Sequence, residues 1–254
     1  MIKTVLISLL VIFYSAPAIP QLHAQNITAL MQQAEAYEKA FKDDDALKKY
    51  IEVLKYDPLN IDALCKTSEL YNIIGKRRPT KEEQKAYFKT GESFARKGIK
   101  VNPNHSEANF AMAISMGRMA LVSSGKEKVV AVKEIKTYAD KCIQLDAKNF
   151  KGYHVLGKWH YEVSDLNAFE RWIVKITYGA LPPSSIDESI KNYEKSKQLS
   201  PGFLLNYLEL AKAYKRKGEI NKARVLLEQL QKLPPTASDD VKIKSLGRKL
   251  LDDL

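Results

Sequence analysis

A chain of 254 residues, 45% hydrophobic and 28% charged, has the make-up of one or two folded domains and not of a disordered or fibrous polymer. No apolar stretch reaches the ~20 residues that a membrane-spanning helix needs. The formal charge of +11 admits nucleic acid, an anionic membrane surface or an acidic protein as partner, or a solvated lysine-rich surface.

The first 24 residues read as a leader. "MIKTVLISLLVIFYSAPAIPQLHA" has one cation, Lys3, an apolar run from Val5 to about Tyr14, and small residues at Ala16, Ala18 and Ala24. That is the pattern of a secretory signal peptide, with cleavage after Ala18 or Ala24. It implies export to the periplasm or secretion, and a mature chain from residue 25 without a transmembrane segment. No cysteine follows the apolar run to receive a lipid. Export permits disulfides, but Cys65 and Cys142 are far apart and both fall inside apolar helical patterns. They read as small buried residues, with a bridge between them as the alternative.

Beyond the leader, helical periodicity runs throughout, and no segment alternates apolar and polar residues between hairpin turns. Asp43–Asp45 read as acidic residues at a helix start; a calcium loop would need a glycine and a distal glutamate that do not follow. Short phrases then recur between helices: "YDPLN" at 56–60, "VNPNH" at 101–105, "LDAKN" at 145–149, "LSPGF" at 199–203 and "LPPTA" from 233. Proline holds the same place in four of them, where its missing N–H suits a stop between helices.

The intervals between phrases are 45, 44, 54 and 34 residues. The first surplus, "KRRPTKEEQKAY", predicts a lengthened helix opened by a capping box at Thr80 and Glu83. The second, "SSGKEKVVAVK", predicts two lengthened helices around a break at Ser123–Gly125. The third, "LNAFERWIVKITYGALPPSS", predicts an inserted short helix with Phe169, Trp172, Ile173 and Ile176 on one face, ended by Pro182 and Pro183. From Ser238 and Asp239 onward a last helix, apolar at Leu246, Leu250 and Leu251, predicts a cap.

The phrases frame a small–large alternation: Tyr207, Leu210, Ala211 and Tyr214, then Ala223, Leu227 and Leu230 in the last unit, with Ala34, Tyr37, Ala46, Tyr50 and Val53 in the first. This pattern resembles the tetratricopeptide repeat across residues 27 to 236. The expected fold is an all-α tetratricopeptide-type solenoid of about five helix pairs, with one inserted helix and a C-terminal capping helix, forming one domain over residues 25–254.

Chemistry is sparse. The segment "GYHVLGKWHYEVSD" at 152–165 carries His154 and His160, but six positions along a helix turn them roughly 240° apart, so they do not converge on a metal. No nucleophile elbow, phosphate loop or HExxH is present. Lysines are mixed with glutamates through every unit, without a nucleic-acid-reading motif. The expectation is a non-enzyme without metal or cofactor, and no nucleic-acid partner. His160 takes a packing position, which leaves His154, Lys158 and Tyr161 for binding.

In tetratricopeptide proteins ligands meet the first helix of each pair. The resemblance places Arg118, Lys151, His154, Lys158, Tyr161, Leu208, Lys212, Lys215 and Arg216 on that concave face. Met31, Glu35, Glu38, Asp62 and Glu69 would line its N-terminal half. A protein or peptide with an acidic segment is the partner this polarity predicts.

A narrower resemblance covers residues 150–240. Leu156, Gly157, Trp159, Pro182, Pro183, Pro201, Phe203, Asn206, Leu210, Ala211, Lys212 and Tyr214 stand where the regulator of microtubule dynamics family has similar residues. That resemblance implies a non-enzymatic protein, and adds lipid or hydrophobic-ligand binding and transfer as the alternative function, with the inserted Phe169–Trp172 helix walling a pocket.

Overall fold

A computed structural model describes the backbone of residues 19–254 and side chains from residue 26 onward. The predicted leader lies largely outside the described residues. Among these residues the chain is wholly helical: α1 (Ile19–Lys39), α2 (Asp43–Tyr56), α3 (Ile61–Gly75), α4 (Lys81–Val101), α5 (Ser106–Val122), α6 (Gly125–Leu145), α7 (Phe150–Ser164), α8 (Ala168–Tyr178), α9 (Ile186–Leu199), α10 (Leu204–Lys217), α11 (Ile220–Lys232) and α12 (Asp240–Asp252).

The recurring phrases have one physical form. Asp57, Asn102 and Asp146 each accept, through a side-chain oxygen, the N–H two residues on, at 3.2, 2.9 and 2.9 Å. A backbone turn closes over each phrase, from Asn60 to Asp57 at 3.1 Å, His105 to Asn102 at 3.2 Å and Asn149 to Asp146 at 3.0 Å. Proline at the second turn position supplies the required φ, and its missing N–H costs nothing there. Asn60 and Asn149 then cap the next helix by accepting from Ala63 and Gly152.

Those turns fold the helices into consecutive hairpins: α1 with α2, α3 with α4, α5 with α6, α7 with α9, and α10 with α11. The first two insertions behave as their sequences predict. Thr80 and Glu83 form a reciprocal capping box at the start of the 21-residue α4, and α5 and α6 separate at Ser123–Ser124. Small residues bring the paired helices close. A Cβ on Gly157 would stand 2.6 Å from the Tyr193 ring, so the α7–α9 contact needs glycine there. Ser189 seals the same crossing by donating to the Gly157 carbonyl at 2.7 Å. Tyr50, Tyr193, Phe88, Leu210 and Leu227 fill the grooves.

Three expectations are corrected. The helix α8 ends on Gly179, whose φ of +78° is the left-handed region that glycine tolerates, and not on Pro182–Pro183. Its half-buried side is Arg171, Val174 and Tyr178, so the apolar face predicted to wall a pocket points outward. In α12 the buried positions are Asp240, Ile243 and Gly247, with Leu250 and Leu251 half-buried, whereas Leu246 is exposed.

Cys65 and Cys142 are both buried free thiols. Burial raises both, Cys142 to about 11, so neither is a thiolate at neutral pH.

Candidate concave binding face

The first helices α3, α5, α7 and α10 touch in succession and form the inner layer of the solenoid. Most of the predicted cations of that layer are already neutralised. Lys151 on α7 reaches Glu69 on α3 at 3.3 Å and Glu107 on α5 at 2.5 Å, with its ammonium 4.3 Å from the Phe110 ring centroid. Burial works against its charge, but the two carboxylates outweigh burial and raise its pKa. The acidic N-terminal half and basic C-terminal half therefore compensate each other in part.

Glu209 on α10, only 6% exposed, organises the next set. Lys158 on α7 donates to it at 2.8 Å and Lys212 at 2.6 Å, while Lys158 also pairs with Glu162 at 2.8 Å. Burial pushes the Glu209 carboxyl up, yet the two lysines hold it below its ordinary value. Arg216 lies over the Tyr161 ring at 3.3 Å, donates to the Tyr161 carbonyl and stands 3.5 Å from Asp165. Lys215 reaches the Asp253 carbonyl at 3.3 Å.

Two predicted ligand contacts sit inside the protein. Leu208 is 2% exposed and belongs to the α10 core. The His154 ring is buried between Tyr193 and Phe203, with Nδ1 3.0 Å from the Asn206 side-chain oxygen. Asn206 also donates to the Tyr193 carbonyl at 2.8 Å, tying α7, α9 and α10 together. His160 packs edge-on against Trp159, and its Nδ1 is enclosed without a partner. The two histidines thus divide their roles differently from the sequence expectation: His154 is the hydrogen-bonded one.

Arg118 on α5 is the exception among the cations. Among the described residues no hydrogen bond or ion pair reaches its guanidinium, and its Nε is enclosed without a partner. Burial lowers its pKa, partly offset by Asp239. Its place on α5 thus holds a half-buried guanidinium in the inner layer without a direct hydrogen-bonded partner, an environment that disfavours the charge.

A clasp closes the solenoid beside it. At the end of α3, Arg77 pairs with Asp43 at 2.7 Å and with Asp239 at 3.0 Å, and Lys76 also pairs with Asp239. Ser238 donates to Asp43 at 2.6 Å. Ser238 and Asp239, predicted as plain helix-start residues, thereby join the α12 end to the first two units. Burial pushes the Asp239 carboxyl up, but hydrogen bonds from Lys76 and Arg77 hold it below its usual 3.8. A depressed carboxyl stabilises the clasp above its ordinary pKa, and that contribution is lost as pH falls through the lowered value. Arg77→Ala should widen the molecule at neutral pH, and acidification below about 3.8 should do the same to the wild type, both read as a larger radius of gyration by small-angle scattering. An unchanged radius in Arg77→Ala would remove the clasp's role.

Sequence reasoning named the cations but missed Glu209 and the clasp, and marked Asn206 only through the family resemblance and not for its buried hydrogen bonds. Glu209 stands one turn before Lys212, the only local signal of its role; its partner Lys158 lies on another helix. Among the described residues no group of histidines, cysteines and carboxylates could hold a metal, and no helix is long and apolar enough to cross a membrane.

Comparison with known proteins agrees with this architecture. The chain is 23% identical over 180 residues to regulator of microtubule dynamics protein 3 of Rattus norvegicus, covering 70% of this chain and 38% of that one. It is 25% identical over 173 residues to regulator of microtubule dynamics protein 1 of Bos taurus, covering 68% and 55%. The chain thus spans between 38% and 55% of the length of these relatives. A thermophilic TPR protein of Thermus thermophilus superposes with a TM-score of 0.63 at 11% identity, over 90% of this chain and 98% of that one, which shows the fold. The pattern of the family described as "Regulator of microtubule dynamics protein 1-3" matches residues 30–254, so this helical-repeat chain belongs to that family.

Proposed function

We propose that this protein is an exported, non-catalytic scaffold of the periplasm or extracellular space, whose concave face binds the acidic segment of a protein or peptide. The observation that carries the reading is Arg118. The inner-layer lysines Lys151, Lys158 and Lys212 are spent on Glu69, Glu107, Glu162 and Glu209, whereas this guanidinium is held half-buried on α5 with no hydrogen bond or ion pair among the described residues, Asp239 acting on it only from beyond contact. Such a group is costly in the empty groove and gains most from an incoming carboxylate.

Fluorescence polarisation with labelled Asp- and Glu-rich peptides, against Asn and Gln counterparts of the same length, tests it. Wild type should prefer the acidic peptides, and Arg118→Gln should lose about tenfold or more in affinity, the scale of one buried charge-assisted contact. Equal binding of acidic and neutral peptides, or indifference to Arg118→Gln, would overturn the reading. Export has its own test: N-terminal sequencing of the mature protein should begin at residue 19 or 25.

The second reading, binding and transfer of a lipid or hydrophobic ligand, draws on the outward apolar face of α8. Co-purifying lipid seen by native mass spectrometry would favour it over the acidic peptide.

A further inference from the structure

We infer that α8 is a docking element for an anionic membrane surface, separate from the concave face. The helix is attached by its polar side. Arg171 donates to the Leu166 carbonyl at 3.1 Å and the Val163 carbonyl at 2.6 Å at the end of α7, and to Ser184 at 3.3 Å. Lys133 on α6 donates to the Tyr178 carbonyl at 2.8 Å, and the Tyr178 hydroxyl lies beside Gly125. These contacts fix the helix's rotation about its axis. They leave Phe169, Trp172, Ile173 and Ile176 at 66, 55, 38 and 61% exposure, with the two aromatic rings stacked at 6.2 Å.

Charge selects the occupant. The only acid in α8 is Glu170, engaged in the capping box with Asn167 at the N-terminal end. Cations mark the other end: Lys175 on the helix is exposed, Lys133 stands at its last carbonyl, and Lys126 and Lys128 are exposed on the neighbouring first turns of α6. Glu127 between them is paired with Lys85. Apolar Val130, one turn before Lys133, is exposed too. A short helix with Trp, Phe and Ile outward and a lysine rim has the chemistry of an element lying in the headgroup boundary of an anionic bilayer. With 11 residues it is about 16 Å long, so it can lie in that plane but not cross it. The net charge of +11 draws the whole chain toward such a surface.

The test uses the full chain with phosphatidylcholine vesicles, with and without phosphatidylglycerol. Of the two tryptophans, Trp159 is buried and Trp172 exposed, so Trp172 reports directly. Anionic vesicles should shift its emission to the blue and shield it from iodide. Trp172→Asp combined with Ile176→Asp should weaken co-sedimentation about tenfold or more, in proportion to the apolar area lost, while the melting temperature holds because both side chains are exposed. Lys126→Glu combined with Lys175→Glu should abolish the preference for phosphatidylglycerol.

Three results would overturn the inference. Vesicle binding unaffected by the α8 variants would assign it to the N-terminal apolar segment. A Trp172 shielded from iodide before vesicles are added would mean that the chain itself covers the face. A wild-type dimer made monomeric by the double aspartate variant would make the face a self-association surface. None of these outcomes depends on whether the concave face binds acidic peptides.

Discussion

Gly157→Ala should lower stability by about 1–3 kcal/mol, the cost of forcing a methyl into a packed core. The new Cβ would lie 2.6, 2.8 and 2.8 Å from three carbons of the Tyr193 ring, and Tyr193 is wholly buried with nowhere to swing. Thermal unfolding should show a fall of about 2–4 °C per kcal/mol for a chain of this size. Two companion variants locate the cause. Tyr193→Phe keeps the ring and should not rescue Gly157→Ala; the tyrosine hydroxyl is buried without a partner, so its removal alone costs little. Tyr193→Leu removes the ring edge, and the double variant should be more stable than the sum of the two single effects. A Gly157→Ala protein as stable as wild type would show that α7 and α9 slide apart at no cost.

Asn206→Ala should cost about 2–6 kcal/mol, because it leaves two buried groups without partners at about 1–3 kcal/mol each. The Tyr193 carbonyl loses its donor and His154 Nδ1 loses the Asn206 oxygen, in a place where water has no access. Burial lowers the pKa of both His154 and His160, despite the Asn206 hydrogen bond favouring the charged form of His154. The unfolded chain then binds more protons than the folded one below the ordinary value of 6.5, so stability should fall as pH drops from there toward the lowered values. Urea titrations from pH 7.5 to 5 check this, and His154→Gln should flatten the curve. A wild-type stability that rises on acidification through that range would contradict the burial of these rings.

Local chemistry was legible in the sequence, and geometry between distant helices was not. The turn phrases carry their own hydrogen bonds, so Asp57, Pro58 and Asn60 announce a helix end and the next helix start within five residues. Thr80 with Glu83 does the same at α4. The small–large frame located Tyr50, Leu210 and Leu227 because a repeat fixes which positions face the core. Charge pairing across helices has no such frame. Lys151 and Lys212 read as free cations because Glu69 and Glu107 sit on other helices and Glu209 lies inside the core; for Lys158, Glu162 one turn on was legible and Glu209 on α10 was not. The rotation of α8 failed for a related reason: periodicity showed one apolar face, and the inference that an apolar face turns inward ignored Arg171. A guanidinium able to cap the open carbonyls at the end of α7 decided the rotation instead.

The contacts of Arg77 with Asp43 and Asp239 change what kind of folding unit this chain is. In an open array each unit touches only its neighbours, so stability is a running sum and either end can unzip alone. Here side chains separated by as many as 195 positions meet, at Ser238 and Asp43, and the terminal units share a fastening. Releasing one end therefore loosens the other, and the entropic cost of bringing the two together grows only slowly with the length of chain between them. Fraying becomes a concerted event, and the width of the inner groove is set by its two ends jointly and not by each repeat in turn.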